Sequence, residues 1–512
     1  MSQLTKGLFL CILLRAAVSA GDWPTFGHDP QRTGWASTER TLSTANVSNL
    51  ELKWRTRIDN KAFQLAALTA PVVATGVSTS RGVRNVAYIA GNQGIVSALD
   101  TDGGDILWTR KLTTYALPNN VGLQGSVYCP NGINATPTFD RRTGILYVLA
   151  EDGALYGFDS GSGKTRFGPV QFVAPFAKSW SLNLVEDTIY TVLAQGCGGA
   201  LSGFYSMNIR DPHHTVVRQM LLSNTNTGGI WGRGGPVIGT DGRAYGSTAD
   251  GPFDPVAGDY SNSVVAVSIR DLSLADYFTP VNWRELYRRD LDFGGASPVW
   301  FSWKNYNLLA SGAKEGVLYL LDAASLGSKD HQTPLYSAGK LGNDANASTS
   351  QGIWGGLSTW RDDRGDTWVY VPMYGPVSRF APQFPLTNGP TSDGSVMAFK
   401  LATDARTGKP ILEPAWISGN LRVPDPVAIA NGVVFALATG ENVNQRGGKP
   451  ARVQNTQPGV LYALDAQTGK ELYNSGKDIG SWVHFSGLAI AEGRIFTVDY
   501  ESQVYCFGLK GK

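Results

Sequence analysis

Charge is scarce in this chain of 512 residues: Lys, Arg, Asp and Glu make up 17% of it, against roughly a quarter in an average soluble domain. What charge there is cancels. Residues 1–20 contribute Lys6 and Arg15 and no acid, so the remainder carries 42 bases and 42 acids. A neutral body offers no long-range attraction to nucleic acid, to an anionic membrane surface or to polyacidic substrates, which argues against all three as partners. Cysteine is equally sparse: there are four, with no CxxC, no CxxCH haem attachment and no adjacent pair. Structural zinc and covalent c-type haem are disfavoured accordingly. No segment approaches the ~20 uninterrupted apolar residues of a membrane-spanning helix. A GxSxG elbow and a clear pair of hydrolytic carboxylates are missing too, which leaves hydrolase chemistry unsupported.

The N-terminus carries Lys6, the apolar run Leu8 to Leu14 and the small-residue stretch Val18-Ser19-Ala20. That pattern predicts a signal peptide over 1–20 and a periplasmic or secreted protein. Its removal leaves Cys129, Cys197 and Cys506. Two of these could pair in an oxidising compartment, and the odd one stays free.

What is present in abundance is glycine, 61 residues, and it recurs with a pattern. Val96 to Trp108, Leu155 to Phe167 and Leu461 to Tyr473 superimpose. In each, an alternating strand ends in Asp, a Gly follows four residues later, and an aromatic comes eight after the Asp: Asp100, Gly104, Trp108; Asp159, Gly163, Phe167; Asp465, Gly469, Tyr473. This is a hairpin whose Asp caps the turn and whose Gly takes the positive-φ position. Weaker copies raise the count to eight, about 58 residues apart, longer than compact propeller repeats of roughly 40 to 50. Pro/Gly-rich strand starts recur between them, and no amphipathic helix is evident. The pattern predicts one all-β domain over 21–512, an eight-bladed β-propeller of four-stranded antiparallel blades. Nothing follows Val504 to Gly508 that could be a last strand, whereas Leu52 to Ile58 resembles Ile106 to Leu112. The N-terminal strand is therefore expected to complete the last blade and close the ring, leaving no open edge. Trp54 and Trp108 read as packing residues between blades.

The excess length falls in loops expected on one face: Ala249 to Asn262, Tyr374 to Gly394 and Gly440 to Gly459. Their aromatic and Pro content favours order, and a pocket at the mouth of the central channel is the default site. Cys129 and Cys197 lie in loops of neighbouring blades on this face, which makes a disulfide between them the preferred reading and an exposed thiol the alternative.

With these repeats and the opening GDWPTFGHDPQRTGW, the chain resembles the quinoprotein dehydrogenase family, whose eight-bladed propellers hold pyrroloquinoline quinone (PQQ) and usually Ca²⁺. The resemblance covers essentially all of the chain after residue 20, although the repeat is shared with binding propellers such as the outer-membrane assembly lipoprotein. It implies that Trp231, in GGIWGRGGP, lies against the quinone face. It implies that Asp250 stands where the family has a calcium-binding Asn, and an Asp there suits a hard cation. Asp292, in DLDFGGASP, corresponds to the carboxylate that takes the substrate hydroxyl proton, and Lys314, in AKEGVLYLLD, to the basic residue at the quinone oxygens. Two departures accompany these matches: the family's adjacent-cysteine disulfide is missing, and its calcium-binding Glu is replaced by a stretch offering Gln195 and Cys197.

Each residue also has a structural reading. Trp231 could pack between blades, Asp292 could cap the following Gly-Gly turn, and Lys314 could be a turn residue. Asp250 shares a loop with Asp254 and Asp259, and the three could bind Ca²⁺ together or simply be solvated. Two functions follow. The first is a PQQ- and calcium-dependent oxidoreductase for an alcohol or related small neutral substrate, passing electrons to a separate acceptor. The second is a non-enzymatic propeller that binds a protein or carbohydrate ligand, like outer-membrane assembly scaffolds.

Overall fold

The computed structural model describes residues 21–112, 129, 132–223 and 228–511; the expected signal peptide lies outside them. Antiparallel sheets succeed one another in chain order and make an eight-bladed propeller, six of the blades having four strands and the third and sixth carrying extra ones. The ring closes as the repeat predicts. Strand Leu50–Arg57 pairs antiparallel with Gln503–Leu509, Leu50 opposite Leu509 and Arg57 opposite Gln503, so the last blade is shared between the two ends of the described chain.

The hairpin motif is also the rivet between blades. Asp100, Asp159 and Asp465 each cap their own turn, accepting from the backbone N–H of Asp102, Ser162 and Gln467 at 2.9, 2.9 and 3.0 Å. Gly104, Gly163 and Gly469 have φ of 76, 65 and 72°, and each lies under an indole of the preceding blade. A Cβ on them would come within 2.6, 2.6 and 2.4 Å of Trp54, Trp108 and Trp416. The same three indoles donate to turn carbonyls of Thr101, Ser160 and Ala466 at 2.8, 2.9 and 3.0 Å. Glycine is thus required twice over, by φ and by contact. Trp54 and Trp108 are the packing residues the sequence suggests.

The strands that face other blades are buried almost residue for residue, as in Ile95–Asp100 and Thr367–Tyr374, which is how few charges suffice. Two short helices, Trp283–Arg289 and Lys449–Val453, interrupt the all-strand pattern. The sequence reading saw neither, because each occupies a loop and is too short to show a periodic apolar face.

Candidate functional site

The mouth of the ring is built by turning chains out of strands in the same way twice. Gly229 bridges both Ala194, the last residue of strand Thr188–Ala194, and Ala249. A Cβ on Gly229 would fall 2.6 Å from the Ala194 Cα, so the three chains meet only through glycine. The residues that follow, Gln195 and Asp250, take φ of 65 and 64°. Left-handed backbone is uncommon for a residue with a side chain and is retained where the surroundings enforce it. Both side chains line one cavity of about 360 Å³.

Next to Asp250 stand two more carboxylates. Helix Trp283–Arg289 ends on Asp290, with φ 57°, and Asp292 follows at the start of a single turn of 3-10 helix. Asp250, Asp290 and Asp292 bring carboxylate oxygens within 4.8 Å of one another. Asp292 makes no side-chain cap. Its carboxylate instead contacts the Lys314 ammonium, which also lies 3.7 Å from Asp290 Oδ1. Lys314 is no ordinary turn residue either. Its side chain is 6% exposed, its Nζ lies 5.2 and 5.0 Å from the ring centres of Trp231 and Trp354, and Asn343 Nδ2 donates to its carbonyl at 2.6 Å.

These charges perturb one another. Burial, then the neighbouring Asp292, pushes the Asp250 carboxyl well above the usual range. Asp290 is raised to about 6 by the same causes. Burial alone would lower Lys314, but Asp292, Asp290 and Asp250 outweigh it and hold the ammonium above its ordinary value. Three carboxylates sharing one ammonium are short of positive charge.

Aromatic rings form the rest of this side. Trp231 and Trp354 lie 5.6 Å apart, tilted by 57°, and Trp354 stacks on Tyr374 at 5.4 Å. The same cavity is lined by Lys178, Trp180, Gln445, Arg452, His484 and Phe485, and Lys178 pairs along the backbone with Ala194, the residue before Gln195. The Arg233 guanidinium lies 3.4 Å over the Phe485 ring and is paired with buried Asp425.

Trp231, Asp250, Asp292 and Lys314 therefore all line one cavity. Asp254 and Asp259 do not join Asp250: they pair across a small hairpin of their own, Phe253–Asp254 with Asp259–Tyr260. The carboxylates that do join it are Asp290 and Asp292. Asp290 was overlooked, although residues two apart in extended chain share a side and the DLD triplet displays that spacing. Arg452 and His484 come from loops without periodicity, and no sequence signal marked them. Cys129 and Cys197 are joined, with Cα atoms 5.6 Å apart, two residues beyond Gln195, and Cys506 is buried and free.

The three carboxylates are oxygen donors of the kind a hard divalent cation takes, and Gln195 Oε1, on the same cavity, is buried without a hydrogen-bond partner. The cavity also suits a flat quinone. Trp231 and Trp354 supply aromatic walls, Lys314 a donor, and Gly295 keeps Trp231 accessible to close packing, since a Cβ there would lie 3.3 Å from the indole.

The eight-bladed propeller thus brings a carboxylate cluster, a buried lysine and paired tryptophans into one cavity. Comparison with known proteins refines this. No family model matches. A stretch of 148 residues, 29% of the chain, is 28% identical to the quinohemoprotein alcohol dehydrogenase of Comamonas testosteroni, and covers 18% of that protein. Another of 123 residues, 24% of the chain, is 28% identical to the outer membrane protein assembly factor BamB of Yersinia pestis, covering 27% of it. The chain thus spans less than a third of the length of these curated relatives. Among solved structures it is similar to the Comamonas testosteroni enzyme (TM-score 0.60, 15% identity, 96% of this chain and 81% of that one). It is equally similar to a europium-containing methanol dehydrogenase (0.60, 14%, 96% and 99%). A quinohemoprotein alcohol dehydrogenase from Pseudomonas putida HK5 gives 0.62 at 14% identity, over 96% and 81%. These likenesses show the fold, and the chain is a divergent propeller of the kind seen in quinoprotein dehydrogenases. Among the described residues no helix is long and apolar enough to cross a membrane.

Proposed function

We propose that the protein is an exported quinoprotein oxidoreductase that oxidises the hydroxyl of a small substrate at the channel mouth. The observation that carries this reading is the convergence of Asp250, Asp290, Asp292 and Lys314 beside Trp231 in one cavity. Asp250, Asp290 and Gln195 would hold Ca²⁺, and Trp231 would lie against bound PQQ. When bound, the quinone supplies the two-electron acceptor that the chain itself lacks.

The chain's own residues do the rest. Asp292 accepts the substrate hydroxyl proton at a carboxylate oxygen, which is the group hydride loss from the carbinol carbon requires. Lys314 pairs with that carboxylate in the resting site and offers N–H donors to an oxygen that becomes more negative on reduction. Burial of both side chains, each 6% exposed, keeps water from weakening the pair. With no haem attachment motif, electrons leave to a separate acceptor. Export, with cleavage of 1–20 and a single domain over 21–512, belongs to the same reading and agrees with the Cys129–Cys197 bond.

Reconstitution of purified protein with PQQ and Ca²⁺ tests it. A bound quinone absorbance and dye-coupled alcohol oxidation are expected, and retention of no quinone at any Ca²⁺ concentration overturns it. The relative BamB makes a non-enzymatic propeller that binds a protein or carbohydrate ligand the second reading. That reading is undercut if Asp292→Asn abolishes a measurable activity while leaving the fold intact.

A further inference from the structure

One buried carboxylate organises the side of the cavity that the oxidation chemistry leaves idle. Glu441, in the loop after strand Val433–Ala438 and 3% exposed, stands 3.0 Å from His484 Nδ1 and 3.9 Å from the Arg452 guanidinium. It accepts a third contact from Gln445 Nε2 at 3.0 Å. All three partners line the cavity, and Glu441 stands behind them. His484 does not neutralise it: burial above all pulls the ring down to about 4, so it is uncharged near neutral pH.

Arg452 is the exceptional member. Its side chain is 8% exposed, and among the described residues its guanidinium donates no hydrogen bond, since 3.9 Å to Glu441 is an ion pair without one. A guanidinium that lines a cavity and meets no acceptor among the described residues leaves its donors to water or to a ligand that brings acceptors. Lys178 lies on the same wall, near enough that Arg452 opposes its charge. With a divalent cation seated on the three carboxylates, Glu441 is the acid left to face Arg452, and Arg233 is already paired with Asp425.

We infer that Arg452 and Lys178, with Arg452 positioned by Glu441, form a carboxylate-binding subsite in the cavity that Asp292 lines. The occupant of the cavity is then an anion, in contrast to the small neutral molecule that the overall charge suggests. A planar guanidinium matches a carboxylate with two parallel hydrogen bonds, which a neutral hydroxyl cannot return. The inference draws on the quinoprotein reading only for the cation.

The test uses full-length protein without quinone, titrated with glycolate or with its neutral counterpart ethylene glycol, with and without Ca²⁺, and read by the fluorescence of the cavity tryptophans. Saturable glycolate binding at least ~10-fold tighter than ethylene glycol is expected. Arg452→Gln should weaken glycolate by ~10-fold or more and leave Ca²⁺ affinity unchanged, Arg452→Lys should recover part of the loss, and Lys178→Met should weaken glycolate independently. Repeating the titration with PQQ bound separates two sources of the carboxylate. Glycolate that still binds marks the subsite as the substrate's, and glycolate displaced by PQQ in an Arg452-dependent way marks it as the quinone's. Equal binding of glycolate and ethylene glycol, or glycolate affinity unchanged in both Arg452→Gln and Lys178→Met, overturns the inference. Protein that binds glycolate as expected yet never retains quinone refutes the oxidation reading and leaves this one standing.

Discussion

The two walls of the cavity differ in how they are made. The acidic wall, Asp250, Asp290 and Asp292 with Lys314, is shaped by backbone, since Asp250 and Asp290, the latter at the end of a helix, both take left-handed φ. The opposite wall is assembled from long connections, with Arg452 on the helical turn Lys449–Val453 and His484 between blades. Its side chains Arg452, His484 and Gln445 converge on one carboxylate, Glu441. In the proposed reading the chemistry falls to the wall that backbone shapes, and recognition to the wall whose side chains Glu441 gathers.

Removing the base breaks this contrast most severely. Asp292→Asn should lower dye-coupled turnover of the reconstituted protein by about 10²- to 10⁴-fold. Glycolate binding should survive within a few-fold, as fluorescence titration would record. Equal losses in both would mean that the walls are not separate.

Asp250→Asn acts on the same wall but through the cation. Calorimetric Ca²⁺ affinity should fall by roughly 10- to 100-fold, with the thermal stabilisation that Ca²⁺ confers falling in step. Arg452→Gln should show neither change.

A smaller effect of opposite sign is expected on the basic wall. Lys178 is lowered from 10.5 to about 7, by burial first and then by Arg452. Between those values the unfolded chain binds the proton that the folded chain has released, so this residue makes stability rise with pH. Below about 7 the folded lysine is charged at its full burial cost. Lys178→Met should therefore raise the unfolding midpoint at pH 6.5 by on the order of 1–3 °C, and the gain should vanish near pH 10 in calorimetric scans. A variant that is more stable but binds glycolate less well marks a site kept at the expense of the fold.

The same contrast explains what the sequence could show. The ring was legible because its rivet repeats: the Asp caps, the left-handed Gly104, Gly163 and Gly469, and the indoles above them recur at fixed spacing. The closing strand was legible because Leu52 to Ile58 repeats an outer strand that has an equivalent in the first blade. Trp231, Asp250, Asp292 and Lys314 could be named because the short motifs around them, GGIWGRGGP, GSTADGP, DLDFGGASP and AKEGVLYLLD, resemble those of the quinoprotein dehydrogenases. Grouping Asp250 with Asp254 and Asp259 failed because nearness in sequence is undone when a loop folds into its own hairpin. Arg452, His484 and Glu441 were illegible for a different reason. They lie in connections with no period, and their meaning comes from a partner dozens of residues away, as Glu441 and His484 are.

The most direct measurement is equilibrium dialysis of the purified protein against PQQ, with quinone absorbance read as Ca²⁺ is varied. One quinone retained per chain, dependent on Ca²⁺ and weakened by Asp250→Asn, is the predicted result. A protein that is folded, binds Ca²⁺ and retains no quinone at any concentration would contradict the account.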